Sequence, residues 1–173
     1  MAGVKFQTKV TTSRTKGFLG LDGPAMQRIA EKVLVSVKMR ISNGLDVNDR
    51  PAPPLKPRPM TRRGKDGMIT FQDRARSGYA DAKRRRNIPP IRNWRFTGKL
   101  MNSMVVLSAR PNQATIGFIE RAYNLKFGYA TTNFVAAQNN RRWPQFGVSR
   151  KDDAVLRNAV MAEASTTARS KVA

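Results

Sequence analysis

The sequence contains no cysteine and no histidine, and it sets only 11 acidic residues against 33 lysines and arginines. Each absence removes chemistry. Without thiolate or imidazole there is no Cys/His zinc site, no cysteine nucleophile, no Ser-His-Asp triad and no disulfide framework. What is left for bond-making is a hydroxyl–lysine pair or a carboxylate site for Mg²⁺. The lack of thiols says nothing about compartment, because such a chain suits oxidising and reducing surroundings alike. Long apolar runs are also missing: no stretch approaches the ~20 residues that a membrane-crossing helix needs. The opening Met1-Ala2-Gly3-Val4-Lys5-Phe6 is followed by charged and hydroxyl residues rather than an apolar run, so it does not read as a secretory signal.

What is present is the material for one domain spanning 1–173, since 173 residues with 40% hydrophobic content and eight Phe can bury a core. The formal charge of +22 opposes compaction and favours polyanions or acidic protein surfaces as partners. Its distribution is uneven. Residues 1–49 hold 8 basic and 4 acidic side chains, 50–99 hold 15 and 3, and 100–173 hold 10 and 4. More than half of the excess therefore lies in the middle third.

Periodicity and punctuation predict an α+β fold. Val4, Phe6, Thr8 and Val10 alternate as an edge strand or an arm. A helix over about 24–42 follows, with Asp22 as cap, Pro24 in the first turn, Met26, Ile29, Ala30, Val33, Val37 and Ile41 at three-to-four spacing, and Asn43-Gly44 as a left-handed stop. Five of the ten prolines fall in 51–59, which excludes helix and a continuous ladder. The whole of 44–87 reads as an extended Pro/Arg-rich loop or arm. Within it, 61–67 is a loop and a short helix covers about 72–86, its Lys83-Arg84-Arg85-Arg86 suiting the negative end of the helix dipole. A small antiparallel hairpin occupies about 104–119, turning at Pro111-Asn112-Gln113. Tyr123 and Phe127, four apart, suggest a short helix over 121–129. Ser149-Arg150-Lys151-Asp152 has the form of a capping box and opens a last helix over about 150–166.

Three groups of residues could carry function. The first is basic: Arg58, Arg62, Arg63, Lys65, Arg74, Arg76, Lys83, Arg84, Arg85, Arg86, Arg92 and Arg95, contacting either phosphates or acidic neighbours in an assembly, with Tyr79, Trp94 or Phe96 as stacking surfaces in the first case. The second, Gly98-Lys99, lacks both the upstream glycine and the following Ser/Thr of a phosphate-binding loop, so Thr97-Gly98 reads as a turn into a short helix or strand. Lys99 and Ser103 are a weak match to a hydroxyl–lysine catalytic pair. The third is the carboxylates, of which only Asp152 and Asp153 are adjacent. Neighbours on a helix do not share a face, and both suit the dipole of a first turn. No catalytic residue, metal or cofactor follows from these patterns.

The run Trp94-Arg95-Phe96-Thr97-Gly98-Lys99-Leu100-Met101-Asn102-Ser103 resembles the TG-x-L-x-x-S signature of tailed-bacteriophage virion-morphogenesis proteins, the neck, connector and tail-completion components of the head–tail junction. The hairpin at 104–119, Ala136-Ala137-Gln138-Asn139, and Pro144-Gln145-Phe146-Gly147-Val148-Ser149 follow in that family's order. The helix at 24–42 and Pro53-Pro54-Leu55 match its upstream parts, while Arg141-Arg142-Trp143-Pro144 replaces the more usual Pro-Ala-Arg-Pro. The resemblance implies a non-enzymatic virion subunit assembled in the host cytoplasm. It would form a ring with copies of itself between portal or adaptor and tail-tube or tail-terminator proteins, around a DNA channel and away from membranes. Thr97, Gly98, Leu100, Ser103, Pro144, Phe146 and Gly147 would then be structural. Basic nucleic-acid binding through phosphates, independent of sequence, is the alternative.

Overall fold

A computed structural model describes residues 7–11, 20–53, 55, 61–63, 69–71, 79–93, 98–125 and 128–170. The central element is helix α1 (Gly23–Ser42). The Asp22 carboxylate accepts from the Ala25 N–H at 2.8 Å, and Pro24 occupies the first turn, where its missing N–H costs nothing. The apolar stripe predicted from spacing is the buried stripe: Met26, Ile29, Ala30, Val33, Val37 and Ile41 are all inside. Removing each of the larger ones from water contributes about 1.5–3 kcal/mol. The helix ends in a Schellman arrangement, with Gly44 at φ +73°, its N–H donating to Ile41 O and the Leu45 N–H donating to Arg40 O.

One side of α1 lies on a three-stranded antiparallel sheet in the order β1 (Gln7–Thr11), β5 (Gln113–Phe118), β4 (Met104–Arg110). The expected hairpin is β4–β5, in register from Met104 opposite Phe118 to Arg110 opposite Gln113, with a bulge that leaves Leu107 unpaired and 39% exposed. Its turn is pinned to the start of α1, where Asn112 and Leu21 exchange two hydrogen bonds of 3.0 and 3.1 Å. The core joins Leu21 and the α1 stripe to Leu100, Met104, Ile116, Phe118, Ala136, Phe146 and Ala159. Helix α5 (Arg150–Ser170) packs along another side of α1 and extends beyond the 166 expected for it. Its predicted capping box is formed: Asp152 N–H donates to Ser149 Oγ at 3.2 Å, and Ser149 N–H donates to Asp152 Oδ2 at 3.0 Å.

Several expectations need correction. The described residues of 121–129 are not helical but contribute β6 (Ala122–Leu125) and the start of β7 (Gly128–Thr131), a separate two-stranded ladder, while 126 and 127 lie outside the described residues. The four-residue spacing of Tyr123 and Phe127 imitates a helix, whereas Gly128 and the β-prone Tyr129 and Thr131 favour a hairpin. Thr131 then caps a helix absent from the sequence reading, α4 (Thr132–Arg142), by accepting from the Phe134 N–H. The extended arm expected from residue 44 instead begins as a closed loop. Leu45 bridges Pro51, the Ala52 N–H donates to Gly44 O at 2.8 Å, and buried Asp46 accepts from the N–H groups of Asn48 and Arg50, each at 2.8 Å. An Asx turn that satisfies its own donors has no need to extend. Part of the loop expected at 61–67 is strand, since β2 (Thr61–Arg63) pairs with β3 (Ile69–Phe71). Helix α2 is Tyr79–Arg84, while the expected stretch 72–78 lies outside the described residues.

Candidate functional site

The loops that follow α1 meet at its C-terminal end, joined there by polar contacts. Residues 143–149, which carry the Pro144-Gln145-Phe146-Gly147 run, are held mainly by Arg40. Its guanidinium donates to Gln145 O at 2.8 Å, Gly147 O at 2.7 Å and Asp152 Oδ2 at 2.8 Å. Ser36 donates to the other Asp152 oxygen at 2.6 Å. The Arg40 and Asp152 side chains are only 4% and 1% exposed, so this is an ion pair sealed inside the fold, with its remaining valences met by backbone and hydroxyl groups. Asp152 is thus more than the first-turn dipole charge expected from sequence. The Asn140 carboxamide oxygen accepts from the N–H groups of Gln145 and Phe146, each at 2.7 Å, and Pro144 O accepts from the Val47 N–H at 2.9 Å.

The basic run 83–86 is attached to the same place. Lys83 corrects the expectation of a phosphate or partner contact. It is fully buried, its ammonium donating to Ile91 O at 2.5 Å and Asn93 Oδ1 at 2.6 Å. Asn93 in turn donates to Ser42 O at 3.0 Å, and Gln145 donates to Arg92 O at 2.7 Å. The three arginines after Lys83 are exposed. Their backbone is fixed by a second Schellman arrangement, in which Ile88 N–H donates to Lys83 O and Asn87 N–H to Arg84 O, both at 2.9 Å, with Asn87 at φ +53°. Arg84, Arg85 and Arg86 therefore project from a rigid turn.

The other expected site residues divide clearly. Arg92 is half-buried, with its Nε enclosed and unpartnered. Arg62 and Arg63 lie on β2. Arg58, Lys65, Arg74, Arg76, Trp94, Arg95, Phe96 and Thr97 lie outside the described residues, and Tyr79 begins α2. Gly98 takes φ +73° as the residue before α3 (Lys99–Ser103), as its turn role required. Leu100 enters the core, and buried Ser103 donates its hydroxyl to Leu100 O at 2.8 Å, while Lys99 is exposed. That bond ties Ser103 into the last turn of α3. Phe146 packs its ring 5.0 Å from that of Phe118, Pro144 is exposed, and Gly147 has φ +143° and lies where a Cβ would stand a tight 3.1 Å from Val47 Cγ1. Among the described residues no three carboxylates gather where a metal ion could sit.

No protein-family model, curated protein or solved structure matches this chain. What the site can do must therefore be read from its own geometry. The outer face of α1 offers a shallow groove of about 250 Å³ lined by Val35, Lys38, Met39, Ser42 and Asn43, in which burial pulls the Lys38 ammonium below its usual pKa. At the opposite end of α1, Arg28 makes a bidentate pair with Glu163 of α5, the shortest contact being 2.7 Å. The guanidinium hydrogen bonds hold the Glu163 carboxyl below its ordinary value, against the opposing effect of burial. Among the described residues no helix is long and apolar enough to cross a membrane.

Proposed function

We propose that this chain is a structural virion protein of the phage neck, without an active site or cofactor, forming a ring that joins head or portal to tail around the DNA channel. One observation carries the reading: among the described residues on which the phage resemblance rests, Gly98, Leu100, Ser103, Phe146 and Gly147 make backbone turns and core contacts. Gly98 sets a left-handed turn, Leu100 and Phe146 pack inside, Ser103 closes α3, and Gly147 passes close to Val47. A signature of that kind marks a scaffold, whose work is done by surfaces. Ring contacts between identical subunits are heterologous and closed, so they require two different faces on one chain.

The test is assembly. Purified protein, alone and with portal, adaptor and tail-tube subunits, should form closed rings visible by negative-stain microscopy and as one high-mass species by mass photometry. A protein that stays monomeric with each of these, at concentrations far above micromolar, would overturn the proposal. If such a monomer still bound duplex with steep salt dependence, basic nucleic-acid binding would replace it.

A further inference from the structure

We infer that the loop end of the molecule, where 44–52, 84–93 and 143–151 converge on the C-terminus of α1, is a docking surface for the phosphate backbone of duplex DNA. The inference rests on the reading of a chain that surrounds DNA, but it is tested separately. Hydrogen bonds tie the three segments together: Val47 to Pro144, Gln145 to Arg92, and Asn93 to Ser42. They bring together cations that are far apart in sequence. Arg50 stands on the first segment, Arg84, Arg85 and Arg86 on the second, and Arg150 and Lys151 on the third, all six exposed.

Three carboxylates at this end are engaged. Asp46 is buried and accepts from two backbone N–H groups, Asp152 is buried against Arg40, and Asp153 is paired with Arg157 at 2.8 Å. Asp49 is half-buried with Oδ1 enclosed and without a hydrogen-bond partner, so it offsets one of the six cations. With six exposed cations here, and Asp46, Asp152 and Asp153 held in contacts of their own, positive charge exceeds negative on this surface without drawing on the fold's internal pairs. Arg84 ends α2 and Arg85 and Arg86 continue into the turn that closes it, so successive side chains leave the backbone in different directions. They suit a partner whose negative charges are repeated and spaced.

The same surface does not suit an acidic protein as well. Protein interfaces are centred on aromatic or aliphatic anchors, whereas interfaces with DNA are more polar and more positive. Among the described residues the exposed large apolar ones are Val35, Met39, Leu107, Ile119, Phe134 and Met161, and none lies in the three converging segments.

The experiment measures binding of full-length protein to a random-sequence 30-base-pair duplex by fluorescence anisotropy between about 0.05 and 0.2 M salt, a range over which each phosphate neutralised adds about 0.9 to the log–log slope. Three proteins are compared: wild type; a loop-end variant with Arg84→Ala, Arg86→Ala and Arg150→Ala; and a control with Lys32→Ala, Arg110→Ala and Arg169→Ala. The control cations are exposed but lie outside the loop end. The loop-end variant should lose about 2.7 from the slope, so that its affinity falls about 40-fold less over that range, while the control keeps the wild-type slope. Circular dichroism confirms that both variants are folded. Equal losses in the two variants, or no duplex binding by wild type, would overturn the inference. So would poly-glutamate competing as well as unlabelled duplex at equal charge, because the surface would then fit an acidic protein. Mass photometry on the same samples separates the two readings: rings with equal slopes leave the neck reading and remove this one, and a monomer with the loop-end loss does the reverse.

Discussion

Helices α1 and α5 meet twice through an arginine and a carboxylate, and the two meetings are built differently. Near the start of α1, Arg28 and Glu163 are 55% and 10% exposed, an ion pair at the edge of solvent. Near its end, Arg40 and Asp152 are 4% and 1% exposed and share their remaining hydrogen bonds with Ser36, Ser149, Gln145 and Gly147. The first pair joins two helices side to side. The second also fixes a loop. One chemistry thus serves two purposes according to burial: the exposed pair adds little and is screened, whereas the sealed pair cannot lose a partner without stranding a charge. The sealed end is also where six cations face outward, which a mobile loop could not hold in register.

Breaking the sealed pair should have the largest effect. Asp152→Ala strands the Arg40 guanidinium in the interior and should destabilise the fold by about 3–5 kcal/mol, measured as a shift of the urea midpoint at constant slope. The loss should include order in 143–149, read as faster amide exchange at Phe146 and Gly147. A change under about 1 kcal/mol would mean that the loop end relaxes around the lost carboxylate, and the contrast between the two ends would fail. Next in size is Lys83→Met. It keeps the apolar stem but removes the donor from Ile91 O and Asn93 Oδ1, so it should cost about 1–3 kcal/mol although it lowers the net charge. A surface cation replaced in the same way should change stability by less than about 0.5 kcal/mol.

Lys83 also marks the limit of what the sequence makes legible. Helix α1, the β4–β5 hairpin and the cap of α5 could be read because local spacing determines them: an apolar stripe, two β-prone runs about a turn, and a Ser-x-x-Asp start. The inside position of Lys83 could not, since Lys83-Arg84-Arg85-Arg86 is uniform in charge and only the tertiary contact with 91–93 distinguishes its first member. Arg40 did leave a signal. It lies in phase with Val33, Val37 and Ile41, and a charge on an apolar stripe calls for a buried partner. The β6–β7 ladder was lost to an accidental four-residue spacing, and α4 to a polar sequence whose mark is the cap at Thr131. The scattered origin of the loop-end cations was hidden for a different reason, as charge counted along the chain favoured the middle third, while folding adds Arg150 and Lys151 from near its end.

Gly98→Ala probes a position held by backbone geometry alone. The nearest atom to an added Cβ would be Asn102 Nδ2 at 3.7 Å, so space is available and the cost is that of φ +73°. About 1 kcal/mol is expected by thermal or urea melting, with no change in duplex binding. A neutral result would show that the turn can shift to negative φ without disturbing Leu100.

The smallest effect, and the sharpest test of the exposed end, is a pH dependence. The hydrogen bonds from Arg28 depress the folded Glu163 carboxyl below its ordinary value of 4.5, so the native state binds fewer protons there than the unfolded chain does. Its contribution is accordingly complete above about pH 4.5, the ordinary carboxylate value, and is lost as pH falls through the lower folded value. Glu163→Gln retains shape and an acceptor but cannot titrate. Its stability at neutral pH should fall slightly, and its acid limb should be shallower than that of wild type, so that the two curves converge at low pH. Raising the salt concentration at neutral pH should narrow the same gap, because a pair with Arg28 half in solvent is screened. Asp152→Asn offers the contrast: its deficit should persist in high salt, since ions do not reach a carboxylate that is 1% exposed. Equal salt sensitivity at the two positions would make both pairs surface-like and remove the structural reason for a rigid loop end.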